Sequence, residues 1–148
     1  MAIKKENIIS AVLTRLATIT TANGYNSNAG DNVDESRDIK YKETELPAIN
    51  VEESSDTIVD VSNSLYHTRS LELNIEVIDN GTLAPSELRK AEADVFKCIG
   101  VDETWGGYAI QTFPGDVNPS YSQHEENKII GKTITINIQY RITAWQNE

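Results

Sequence analysis

The chain has 148 residues, 24% charged and 39% hydrophobic, with a net charge of −10. This size suits one domain with a real core. No apolar run approaches the roughly 18 residues of a membrane span, and a surface this acidic repels phosphate, which argues against gripping nucleic acid. A single cysteine, Cys98, excludes an internal disulfide. The amphipathic start "MAIKKENIIS" is not a signal peptide, so the sequence predicts a protein of the reducing cytoplasm.

Residues 3–20 place Ile8, Ile9, Val12, Leu13, Leu16 and Ile19 at helical spacing, which predicts a helix with one buried stripe. A long loop follows over 21–45, rich in Gly, Asn and Asp, with one short strand around 32–36. "LPAINVEE" (46–53) reads as a strand opening on Pro47, a residue confined to strand starts and edges because it has no N–H to donate. Residues 54–66 are polar with a few apolar entries and read as a solvent-facing hairpin arm. In 67–79, Leu71, Leu73, Ile75 and Val77 alternate with Glu72, Asn74 and Glu76, the pattern of an antiparallel strand with one wet face.

"NGT" at Asn80 reads as a turn rather than a glycosylation sequon, and Pro85 opens a second helix whose stripe is Leu88, Ala91, Val95 and Ile99, flanked by Phe96 and Cys98, with a stop at Gly100. "GYAIQTF" (107–113) reads as a short strand and "PGDVNPSYSQHEEN" as a loop. In the last strand, Ile130, Ile134, Ile136, Ile138, Tyr140, Ile142 and Ala144 share one face, while Thr133, Thr135, Asn137, Gln139, Arg141 and Thr143 share the other. The fold class expected is therefore α+β: an antiparallel or mixed sheet of about four to five strands with two helices packed on one face, in one domain over 1–148.

The sequence offers no catalytic set. His67 and His124 are separated, "HEE" at 124–126 is too little for a metal, and Cys98 reads as a small core residue. "DNVDESRD" has the composition of a calcium loop without its spacing or glycine, although magnesium sharing among its acids stays open. Trp105 reads as packing, Trp145 as either packing or an interface anchor. No cofactor is expected. Residues 31–60 hold ten acids against three bases, −7 of the −10. This acidic stretch and the Thr/Asn/Gln-rich wet face fit either a solvated surface or contact with other copies of the chain. Candidate interface residues are Asp31, Asp34 and Glu35 in the loop, Asp56, Thr57, Ile58, Val59, Asp60, Val61, Ser62, Asn63 and Ser64 in the arm, and Trp145.

The segments "LPAINVEE", "LELNIEVI" (71–78), "PSELRKAE" (85–92) and "TITINIQYRIT" (133–143), in that order after an N-terminal amphipathic helix, resemble the tail terminator proteins of tailed bacteriophages, the group that includes the phage lambda terminator. The loop over 21–43 departs from the lambda relative in its length. The resemblance implies a non-catalytic homo-hexameric ring that caps the tail tube, stops its polymerisation and offers a docking face to the head. The implied partners are the tail tube protein and a head–tail connector or neck protein. Genome DNA would pass through the ring without specific binding. The implied location is the host cytoplasm during assembly and then the head-proximal end of the tail in the virion. Competing expectations are another neck, head–tail connector or tail completion protein, a small cytoplasmic metal-dependent enzyme built on Asp and Glu, and a generic ligand-binding module.

Overall fold

A computed structural model describes residues 3–61, 65–80, 85–123 and 128–147. Two helices, α1 (Lys4–Leu16) and α2 (Pro85–Ile99), cover one face of a five-stranded sheet. Its strands are β1 (Val33–Glu35), β2 (Ala48–Asp60), β3 (Tyr66–Asn80), β4 (Gln111–Gln123) and β5 (Lys128–Thr143), in the spatial order β1-β2-β3-β5-β4. β1 runs parallel to β2, and every other neighbouring pair is antiparallel.

The alternation in β3 and β5 sets the layers. Leu71, Leu73, Ile75 and Val77 meet Ile134, Ile136, Ile138 and Tyr140 in one core with Ile8, Val12 and Leu16 of α1 and Leu88, Ala91 and Val95 of α2. Each fully buried aliphatic side chain here contributes about 1.5–3 kcal/mol relative to exposure. The opposite face is left half-exposed and polar, with Glu72, Asn74, Glu76, Thr135 and Asn137 along its middle. Thr135 donates to Asn74 across the β3–β5 pair at 2.9 Å.

α1 ends at Leu16, three residues before its apolar pattern does. The β-branched run 18–21 disfavours more helix, yet Ile19 is still fully buried. The chain then crosses back under it. Gly30 N–H donates to the Ile19 carbonyl at 2.8 Å, and a Cβ at Gly30 would stand 2.6 Å from the Leu16 carbonyl oxygen. The long loop is thus seated against the helix end. Asp94 of α2 holds it from the other side, accepting from Asn26 N–H (3.0 Å), Ser27 N–H (2.8 Å) and Ser27 Oγ (2.6 Å). Farther on, Tyr41 turns onto the polar face of the sheet and packs on Ala48 and Ile78.

Three segments are redrawn relative to the sequence pattern. Residues 54–60 of the expected hairpin arm are strand: β2 continues through them, paired to β3 as far as Asp60 opposite Thr68. β3 and β5 both extend to that end, Tyr66 facing Thr143, so a ladder is ready for the chain. Likewise 114–123, expected as loop, belong to β4. Pro114 and Pro119 are accommodated because β4 is an edge strand, and the register slips between Pro114 and Val117, where a Cβ on Gly115 would meet the Thr135 carbonyl at 2.7 Å. The expected strand residues 107–110 instead close a turn with left-handed φ at Trp105 (54°), Gly106 (78°) and Gly107 (91°). Asp102 fastens that turn by accepting from Thr104 Oγ1 (2.6 Å), Thr104 N–H (2.9 Å) and Gly106 N–H (2.9 Å), which holds its carboxyl down to about 2. Trp105 is packing, as its sequence position suggests: its indole N–H donates to Thr112 at 2.8 Å, with the Arg15 guanidinium 4.1 Å over the ring.

Candidate interaction surface at the hairpin end of the sheet

At the end of the sheet where β2 turns into β3, the helix-bearing face changes character. Asp56 and Arg69 occupy the same inward parity as the core residues Leu71 and Leu73, beyond the reach of the aliphatic core. The Asp56 side chain, 10% exposed, accepts from Lys5 Nζ at 2.7 Å, Arg69 Nε at 2.7 Å and the Tyr140 hydroxyl at 2.5 Å. Lys5 also pairs with Glu53 at 2.8 Å. Two cations and two carboxylates thus balance around a fully buried tyrosine ring. Burial pushes the Asp56 carboxyl up, but the hydrogen bonds from Lys5, Tyr140 and Arg69 outweigh it and hold the group below its usual range. Burial, with Asp56 adding to it, pushes the Tyr140 hydroxyl up to about 12.

The same cluster ties the N-terminus of α1 to the hairpin. α1 has no side-chain N-cap; Lys4 N–H donates instead to the Asn147 carbonyl at 3.0 Å, and Lys4 Nζ reaches the Arg141 carbonyl at 2.7 Å. The C-terminal turn is fixed in turn by Ala144 N–H donating to the Leu65 carbonyl at 2.9 Å. Helix start, hairpin and C-terminal turn therefore form one rigid corner.

Outside that corner, apolar side chains face solvent. Ile58 is 50% exposed, Val59 49% and Val61 55%, and Leu65 and Tyr66 are also exposed. Trp145, 91% exposed, meets the His67 ring edge-on at 5.3 Å between centroids. Isolated exposed apolar residues are ordinary, but several at one end of the sheet make it the candidate contact surface.

The residues singled out in the sequence divide accordingly. Thr57, Ile58, Val59, Asp60, Val61 and Trp145 lie at this corner and are exposed, while Asp56 is committed to internal partners. Ser62, Asn63 and Ser64 lie outside the described residues, as does the "HEE" of 124–126. Asp31, Asp34 and Glu35 are not at the corner. Glu35 sits beside Val51, nine residues along β2 from Asp60, about 30 Å at ~3.3 Å per strand residue. Asp34 is tied within the loop, accepting from the Tyr41 hydroxyl at 3.0 Å and Arg37 at 3.4 Å. Arg37 in turn pairs with Glu45 at 2.7 Å. Pattern reading missed Lys5, Arg69, Tyr140 and Leu65. The signal for Arg69 was a charge on the inward parity of Leu71 and Leu73, whereas Asp56 reaches that face only through the register shift between Glu53 and Ser55.

Among the described residues, no three His, Cys, Asp or Glu side chains converge in a way that could hold a metal ion. No helix of the described residues is long and apolar enough to cross a membrane.

No family model matches the sequence, and no curated protein matches it. A solved structure does. The fold aligns, over 90% of this chain and 93% of that one, with a chain in the virion of a native gene transfer agent (GTA) particle, at a TM-score of 0.52 and 10% identity. At that identity the likeness is one of fold.

Proposed function

We propose that this chain is a structural virion protein of a tailed phage or phage-like particle, and within that class a tail terminator. Copies close into a hexameric ring on the head-proximal end of the tail tube, stop its polymerisation and present a docking face to the head–tail connector. The observation that carries the reading is the fold shared along almost the whole length of a GTA virion chain, taken with the order of segments that resemble the terminators. Two features support it. The exposed apolar corner gives a contact surface that a monomer has no use for. The acidic surface lets DNA pass a ring without sticking to it.

The test is electron microscopy of lysates from the virus with this gene inactivated, scoring tail length. The terminator reading expects headless tails of uncontrolled, excessive length. Tails of normal length that fail to join heads would move the protein to a connector or tail-completion role. Intact infectious particles would end the assembly reading.

A further inference from the structure

The sheet has two open edges, and they match. β1 covers the outer side of β2 only at 49–51, so among the described residues no strand pairs outside Glu52–Asp60. On the other side, β4 pairs with β5 and with nothing beyond it among the described residues. Unpaired edges invite pairing with another chain.

Three rows of residues cross the whole sheet in register: Thr57–Ser70–Gln139–Gln111, Asp56–Leu71–Ile138–Thr112 and Ser55–Glu72–Asn137–Phe113. The two edges are therefore open at the same level, and β4 stays free of proline from Gln111 to Phe113. That level is also where both edges expose apolar side chains, Ile58 and Val59 on β2 against Ile110 (48%) and Phe113 (38%) beside and on β4. Polarity fits as well. β2, β3, β5 and β4 alternate in direction, so β4 of one copy beside β2 of the next makes one more antiparallel pair. Charge does not oppose the contact, because Lys5 and Arg69 already neutralise Asp56, the acid at the centre of the β2 segment.

From these observations we infer that the partner of the hairpin edge is a second copy of this chain: β2 residues 55–58 of one subunit pair antiparallel with residues 110–113, at the start of β4, of the next. The contact is head-to-tail, since different edges meet, and such contacts close into rings when the rotation allows. The inference rests on the self-assembly part of the proposed function and specifies which strands make it.

Cysteine trapping tests it on the full chain. Ser55, Thr57, Gln111 and Phe113 lie on the polar, helix-free face, so probes there leave the core untouched, and native Cys98 is fully buried. Paired strand residues bring Cβ atoms within disulfide reach. Concentrated protein carrying both Thr57→Cys and Gln111→Cys, or both Ser55→Cys and Phe113→Cys, is expected to give a covalent ladder ending at ring size under mild oxidation. Each single variant is expected to stay monomeric on the same gel. Adding Ile58→Asp to the double variants is expected to weaken the ladder several-fold, with an unchanged circular dichroism spectrum as the folding control. Dimers from a single variant would overturn the proposal in favour of like-edge pairing. Rings visible by microscopy without β2–β4 cross-links would overturn the edge contact and leave the ring standing. A chain that stays monomeric and uncross-linked at every concentration would overturn both, with tail length judging the function independently.

Discussion

The loop over 21–45 and the hairpin over 52–72 look alike in sequence, both polar and both acid-rich, yet they come to opposite ends. The loop folds inward. Gly30 fits under Ile19, Asp94 holds residues 26–27, Tyr41 packs on the sheet, and Arg37 pairs with Asp34 and Glu45. The hairpin satisfies its central acid internally and turns Ile58, Val59, Val61 and Leu65 outward. Acid content therefore does not separate the two regions. Exposed apolar residues beside an internally neutralised acid do, and the proposed contact surface is placed on them.

The sharpest way to break that comparison is to release the loop. Asp94 is 1% exposed and supplies acceptors to two backbone N–H groups and a hydroxyl. Asp94→Ala removes three hydrogen bonds to a buried carboxylate, at a cost of about 3 kcal/mol. Thermal unfolding should show a fall in Tm of roughly 6–12 °C for a chain of this length. An unchanged Tm would mean that the loop is not anchored as described.

Next in size is the hairpin corner. Asp56→Asn keeps the shape and removes the charge that Lys5 and Arg69 face. Because both cations remain partly exposed, the cost is held to about 2 kcal/mol. The pH dependence follows with a definite sign. The Asp56 carboxyl titrates lower in the folded chain than in the unfolded one, so its stabilisation is complete above the unfolded value near ~3.9 and is lost as pH falls through the folded value. Denaturant midpoints taken from pH 7 down into acid should fall for the wild type below about pH 4, and the Asn variant should lose less over the same window. Equal slopes for the two proteins would remove Asp56 from the account.

The smallest effect belongs to the loop's outer acids. Asp31 and Glu35 are exposed, and the pair Asp31→Asn with Glu35→Gln should change stability by less than about 0.5 kcal/mol and leave self-association as it was. Loss of association in that variant, measured by light scattering, would return the contact surface to the loop.

Much of this architecture was legible in the chain. The period-2 alternation of 71–77 and 130–142 named the inward face of β3 and β5, and the helical stripes of α1 and α2 named what covers it, while Ala144 falls in the turn after β5. β4 was legible only at its start, Gln111–Phe113, because Pro114, Gly115 and Pro119 are loop signals everywhere except on an edge strand, and edge position is a property of the assembled sheet. The hairpin was half legible. Its polar composition pointed to solvent, while its pairing depended on β3 and β5 extending past the aliphatic core, which only the register reveals. The Lys5–Asp56–Arg69–Tyr140 cluster joins residues from four elements, and no local pattern holds that information.

The most direct test of the contrast between loop and hairpin is amide hydrogen exchange on the free chain and on its assembled form. Added protection is expected at 54–60 and 110–113 on assembly, with exchange across 21–35 unchanged. Protection gained across 21–35, with the two strand edges exchanging as they do in the free chain, would contradict that contrast.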